Sequence, residues 1–273
     1  MAGSALKAMV SFFTIWQQDL TQDDMDEMER KFHLVPLVGA LLGLAVLLVS
    51  GVLLFLSSKE VLGSNMFMAA MILATVYIGS RFLHFDGLAD FGDGSVVAGT
   101  QEDHVRALKD TLIGAGALGV ALIVTLLNFS VYSMAGFVVV ALAPVAEVLV
   151  KNAQVACAAF GQPGHGMAGR QVSETNVSSM WKSIGISLVL AVLFAVLGSL
   201  VIDLIMPYPF EGMKAVVVAS LVGTVVSVVS GYLMARRSNR VFGMVNGDIL
   251  GATNEISRVV IMVFMVATFQ LVV

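Results

Sequence analysis

The sequence predicts an all-α integral membrane protein, a polytopic bundle of about seven transmembrane helices preceded by an N-terminal interfacial helix. Three observations predict it. Hydrophobic residues fill 58% of the 273 positions and charged residues only 12%, far from the mix of a soluble domain. Apolar runs recur along the whole chain at membrane-crossing length, which takes about 20 helical residues. No stretch has the composition of a second, soluble unit, so residues 1–273 read as one polytopic membrane domain, with 1–34 as a cytoplasmic or interfacial segment.

Taken in order, residues 4–17 carry Phe12, Phe13, Ile15 and Trp16 beside polar Lys7 and Gln17; the run is too short to cross and suits an interfacial helix. Asp19, Asp23, Asp24, Asp26, Glu27 and Glu29 follow and read as a solvated face. Spans are expected at about 35–56, 66–83, 112–130, 133–150, 183–206, 213–234 and 256–273. Basic residues orient them, because short cytoplasmic loops carry the excess of Lys and Arg. Lys7, Arg30, Lys31, Arg81, Arg106, Lys109, Lys151, Arg170, Lys182, Arg236, Arg237, Arg240 and Arg258 fall on one side, and only Lys59 and Lys214 on the other. The N-terminus is therefore expected in the cytoplasm and the C-terminus outside, with loops 84–111, 151–182 and 235–255 opening on the cytoplasmic face of the cell membrane. An active site belongs there.

The most informative motif is His84-Phe85-Asp86-Gly87-Leu88-Ala89-Asp90-Phe91-Gly92-Asp93-Gly94. At 100° per residue Asp86, Asp90 and Asp93 share an arc of about 60° on a helix. Three carboxylates so close repel unless a cation joins them or some are protonated. Mg2+ takes one or two carboxylates together with substrate phosphate oxygens, so these three are the expected metal ligands and catalytic residues. Gly87, Gly92 and Gly94 weaken the helix, a cost tolerated where backbone must approach a phosphate; Gly87 and Gly94 are thus candidate substrate contacts. Arg81, His84, His104 and Lys109 are near enough in sequence to serve a phosphate. Arg81 and Lys109 equally suit headgroup anchors, His84 points away from Asp86 on a continuous helix, and His104 suits an exposed loop.

Elsewhere the readings are plainer. Gly114-Ala115-Gly116-Ala117-Leu118-Gly119 fits a dinucleotide-binding pattern but has no βαβ unit around it; small residues there, like Gly39 and Gly43, suit close helix packing. Asp110 either caps a helix or joins the site. Asp248 and Glu255, with Gly247 and Asn254 beside them, form a second acidic patch suited to partner the first, although Asn254 also suits a cap of the last helix. The loop Gly161–Arg170 is either a cover for a ligand or a linker. Glu147, inside a span, pairs most simply with Lys151 one turn on. Cys157, the only cysteine, suits a packed thiol.

His84-x-Asp86-Gly87-Leu88-Ala89-Asp90-x-x-Asp93-Gly94 resembles the signature of cobalamin synthase, the adenosylcobinamide-GDP ribazoletransferases. Lys7–Thr14, Pro36-Leu37-Val38-Gly39 with Gly43, Lys109–Gly114 and Gly247–Ala252 resemble further stretches of that family in the same order. Ile15-Trp16-Gln17 and Asn246 depart from its usual residues. The resemblance implies a Mg2+-dependent late step of vitamin B12 assembly. The phosphoryl group of adenosylcobinamide-GDP passes to α-ribazole or its 5'-phosphate, GMP leaves, and Asp248 or Asp110 takes the proton of the attacking hydroxyl. Partners are then those substrates and the lipid bilayer, with no nucleic acid, and with room for a homo-oligomer or other corrinoid-assembly enzymes. A CDP-alcohol phosphotransferase is the nearest rival, but its motif places an arginine where Asp90 follows Ala89. Transport would need more intramembrane charge than Glu147.

Overall fold

The computed structural model describes residues 2–164 and 166–273; Met1 and His165, the latter in the loop read as a cover, lie outside them. Among the described residues regular structure is helical, apart from one isolated bridge between Pro163 and Val245. The helices are α1 (Ala2–Phe13), α2 (Gln22–Arg30), α3 (Pro36–Ser58), α4 (Asn65–Gly79), α5 (Leu83–Val96), α6 (Gln101–Leu108), α7 (Ala115–Met134), α8 (Val139–Phe160), α9 (Gly166–Glu174), α10 (Val177–Ile205), α11 (Met213–Val241) and α12 (Gly247–Val272). Six of them, α3, α7, α8, α10, α11 and α12, are long and apolar enough to cross a membrane, and α4 with α5 forms a pair bent by 93° that makes a seventh if counted as one span. The fold is that of a multi-pass membrane protein.

The core is α8, in which every residue from Val139 to Ala158 is buried. A helix buried on every side, its few polar side chains paired inside, sits at the centre of a bundle, and α3, α10, α11 and α12 enclose this one. Small residues let them come close. A Cβ on Gly43 would lie 2.8 Å from the Pro144 carbonyl oxygen, one on Gly198 2.8 Å from Ala141 Cβ, and one on Gly231 2.8 Å from Ala156 Cβ. Gly39 meets the α8 backbone at Val148 Cα, 2.9 Å from such a Cβ, so the packing expected of Gly39 and Gly43 is what they provide. Gly39→Val forces α3 off α8, and overpacking of this kind costs about 1–3 kcal/mol or more. Its detergent-solubilised form is expected to melt well below wild type, and an unchanged melting midpoint would refute this packing.

On this side of the bundle the spans expected from the sequence are too short. α8 runs on to Phe160, α10 begins at Val177, α11 continues to Val241 and α12 starts at Gly247. The expected loops 151–182 and 235–255 are therefore mostly helix, and Lys151, Glu255 and Arg258 are buried inside the bundle. Polar side chains that bond across helices cost little there, which a hydropathy average cannot register. The second span is broken: α4 stops at Gly79, and Arg81 and Phe82 adopt φ of +54° and +57° before α5 sets off in a new direction.

The bundle has two distinct ends. At one, Phe210 stacks on Phe269 at 6.5 Å and meets Phe137 edge-on, gathering the α7–α8 and α10–α11 connections around the end of α12. At the other lie α1, α2, α5, α6, α9 and the start of α12. Ala5, Ala8, Met9 and Phe13 of α1 are buried. The acidic segment read as a solvated face is only partly so, since Asp24 and Glu29 are buried too. The Ser4 hydroxyl and the Thr21 backbone N–H, followed by Lys7 Nζ at 3.2 Å, hold the Asp24 carboxyl well below the usual range and tie α2 to α1. Burial pushes Glu29 up, against the pull of Arg170, whose Nη2 is 3.0 Å away on α9.

Candidate active site

The bend before α5 creates the site. Left-handed backbone is costly for bulky residues such as Arg81 and Phe82, and hydrogen bonds hold it in place. Arg81 Nη2 donates to the Phe12 carbonyl at 2.8 Å, and the Ile15 N–H donates to the Gly79 carbonyl at 2.9 Å. Arg81 is thus an exposed strut between the bend and the end of α1. Beyond it α5 lies wedged between α12 and α7, seated on glycines on both sides. A Cβ on Gly87 would sit 2.9 Å from Asp248 Cα, one on Gly92 2.7 Å from the Gly116 carbonyl oxygen, and one on Gly94 2.8 Å from the Phe242 ring. The nearest neighbours of these glycines are other helices, with Gly116 receiving α5 as close packing requires.

At 100° per residue the acids fall between the Gly92 side, which meets α7, and the Gly87 side, which meets α12. Asp86 is exposed and Asp90 half-buried. Among the described residues neither side chain makes an ion pair or a hydrogen bond. The carboxylates acting most strongly on Asp90 are those of Asp248, Asp86 and Asp93, so the first turn of α12 does bring Asp248 to the cluster. Asn246 caps that helix through the Ile249 N–H at 3.1 Å, and its Nδ2 holds Asp248 Oδ2 at 2.7 Å. A helix N-terminus favours a carboxylate here.

Asp93 differs from its neighbours. Its Oδ2 accepts the Gly114 N–H at 2.7 Å and its Oδ1 the Ala117 N–H at 2.8 Å, so both oxygens satisfy the start of α7. Asp110 caps no helix: its Oδ1 accepts the Leu112 N–H at 3.0 Å in the preceding turn. Asp110 and Lys109 line an open groove along α6, yet the Lys109 charge still acts on Asp248. His104, expected on an exposed loop, lies on α6 with Nδ1 donating to the Gly94 carbonyl at 2.7 Å.

Beneath the acids is a cavity of about 190 Å³ whose lining includes His84, Asp86, Gly247, Asp248 and the rings of Phe12 and Phe13. His84 is buried, and Lys151 Nζ donates to its Nε2; a lysine has only donors, so this nitrogen accepts. Lys151 also donates to Asn254 Oδ1 at 2.8 Å and stands 5.8 Å from the centre of the Phe13 ring. Asn254 is therefore a buried relay rather than a cap, passing on to Glu255 Oε1 at 3.0 Å. Arg258 closes the network, pairing with Glu255 and, through Nε at 2.9 Å and Nη2 at 3.2 Å, with both oxygens of Glu147.

Two expectations are corrected here. Glu147 pairs with Arg258 and not with Lys151, because a guanidinium fork meets both carboxylate oxygens while Lys151 turns towards α5. Glu255 is no part of the Asp248 patch; it lies about two turns deeper, neutralised within the bundle. Gln154 and Gln171 were missed as cavity residues, and Lys151 as the support behind His84. The one signal for such a network was the helical spacing of Glu147 with Lys151 and of Glu255 with Arg258.

Among the described residues no group of three or more Asp, Glu, His or Cys side chains is drawn close enough to hold a metal ion by itself. The arrangement offers one or two unpaired carboxylates on a surface open to a ligand.

No solved structure matches the chain. Curated relatives do: an adenosylcobinamide-GDP ribazoletransferase of Methanosarcina mazei is 28% identical over 98% of this chain and 93% of its own. One of Methanocella arvoryzae is 30% identical over 95% of each chain, and one of Halorubrum lacusprofundi 33% identical over 70% of this chain and 71% of its own. The family model described as cobalamin-5-phosphate synthase matches residues 5–266, a stretch that takes in the α5 carboxylates, the Asp248 turn and the buried network, and the chain belongs to that family.

Proposed function

We propose that the acidic face of α5, with Asp248, transfers the corrinoid phosphoryl group of adenosylcobinamide-GDP to a hydroxyl of α-ribazole or α-ribazole 5'-phosphate. The observation that carries this reading is the pair of unpartnered carboxylates, Asp86 and Asp90, facing Asp248 at a helix N-terminus above a cavity. The family's relatives bear the name of that reaction.

In the transfer a new P–O bond forms to the ribazole oxygen and the P–O bond to the leaving nucleotide breaks, releasing GMP. Mg2+ suits the donor set, since it binds through one or two carboxylates and the substrate's phosphates; when bound it neutralises charge on the diphosphate. Asp86 and Asp90 are the side chains that would hold it, with Asp93 setting the turn below them through its bonds to α7. Asp248 is the candidate to accept the hydroxyl proton, steadied by Asn246. Lys109 and Arg81 supply positive charge at the rim, and Asp110 lies beside Lys109 in the α6 groove. His84, neutral at Nε2 against Lys151, forms the floor with Asn254 behind it. Eleven of the thirteen basic residues that oriented the chain remain outside the buried network, and they support a cytoplasmic site and N-terminus in the cell membrane.

The test is release of GMP from adenosylcobinamide-GDP by protein in detergent or liposomes. Release that requires both ribazole and Mg2+ is expected. Folded protein that releases none with either form of ribazole overturns the reading.

A further inference from the structure

The cavity beneath the acids is small for a whole ligand, since ligand pockets usually run to about 300–1,000 Å³, so its volume of about 190 Å³ suits one ring system. Its walls are largely flat and apolar, from Phe12, Phe13, Phe32 and Met167. Two glutamines interrupt them. Gln154 of α8 and Gln171 of α9 are 1% and 4% exposed, and among the described residues each carries an atom without a partner, Gln154 Oε1 and Gln171 Nε2. The orientation of Gln154 is fixed, because its Nε2 donates to the Leu250 carbonyl at 3.0 Å. The two cavity-lining side chains thus hold one unsatisfied acceptor and one unsatisfied donor, each costly to bury alone.

We infer that Gln154 and Gln171 read the edge of the guanine base of the nucleotide substrate, a residue-level assignment that rests on the reaction proposed above. A guanine offers N–H donors to Gln154 Oε1 and the O6 and N7 acceptors to Gln171 Nε2, and its flat ring fits between aromatic side chains. The benzimidazole of α-ribazole, once joined to ribose, offers a single acceptor nitrogen and would leave Gln154 Oε1 unpaired. The position agrees as well. Asp86 and Asp248 stand on the same cavity, where the diphosphate attached to that guanosine has to lie.

The experiment measures equilibrium binding of GMP, AMP and α-ribazole to the full chain in nanodiscs, for wild type and for Gln171→Met, which removes an Nε2 without a partner among the described residues. Thermal midpoints check the fold, and GMP release is assayed alongside. GMP is expected to bind at least tenfold more tightly than AMP to wild type. Gln171→Met is expected to weaken GMP about tenfold or more and to raise KM for adenosylcobinamide-GDP, with α-ribazole unaffected. Equal binding of GMP and AMP by wild type overturns the assignment without any variant. So does a folded Gln171→Met with unchanged GMP affinity, or one that loses α-ribazole instead, even where GMP release shows the transfer itself to be real. Absence of release, with GMP binding still dependent on Gln171, removes the transfer and leaves the base pocket standing.

Discussion

Asp90→Asn is expected to cut GMP release by about 10²–10³-fold, the usual loss when one preorganised electrostatic group is removed from a reacting centre, and to leave the protein as stable as before or more so. Both halves follow from one arrangement. Asp90 is half-buried, no donor among the described residues holds it, and the carboxylates of Asp248, Asp86 and Asp93 all act on it. Its charge therefore opposes folding, and an amide of the same shape relieves the repulsion. Activity that rises with destabilising charge is the familiar trade at functional sites. Asp93→Asn provides the contrast, since that side chain satisfies the Gly114 and Ala117 N–H groups and its loss weakens the start of α7. Rates of GMP release at saturating Mg2+ and thermal midpoints in the same detergent separate the two. An Asp90→Asn protein that is fully active, or one that is inactive only because it has unfolded, contradicts the role given to Asp90.

Arg258→Met is expected to be the most destabilising single change in the bundle. Arg258 is fully buried between Glu147 and Glu255. Removing one partner of a buried ion pair costs about 3–5 kcal/mol, because it strands an uncompensated charge, whereas replacing all partners by apolar or neutral groups is often harmless. The triple change Arg258→Met with Glu147→Gln and Glu255→Gln should therefore recover much of what the single change loses. Inactivation half-life at fixed temperature is the suitable measure for a membrane protein that does not refold reversibly. A single variant as long-lived as wild type, or a triple variant no better than the single, would show that a stranded buried charge is not what destabilises Arg258→Met.

How far the chain could be read in advance depended on whether the signal was local. The period of 3.6 residues places Asp86, Asp90 and Asp93 on one face from sequence alone, and α5 does present them so. That Asp93 would be taken up by the N-terminus of α7 was not legible, since its partners are 21 and 24 residues away and nothing in their types announces it. Arg81 and Phe82 gave no sign of the bend, because left-handed backbone is signalled by Gly or Asn and not by bulky side chains. The spans were legible in number and blurred at their ends. Lys151, Asn254, Glu255 and Arg258 depress a hydropathy average as strongly when they pair inside a bundle as when they lie in water. Only the distant partner, α8 for α12, distinguishes the two cases.

The glycines of α5 give the reaction centre a mechanical character. Gly87, Gly92 and Gly94 rest against the backbone of Asp248, the backbone of Gly116 and the ring of Phe242, like notches of a ratchet seated on fixed teeth. A shift of α5 by one residue would slide it about 1.5 Å along its axis and rotate it by about 100°, so that side chains met those teeth and the carboxylates swung away from Asp248. At Gly87 and Gly92 the spacing between Asp86, Asp90 and Asp248 is thus gauged by main chain against main chain. A change of a cavity side chain can therefore alter what the cavity accepts while the acids keep their register.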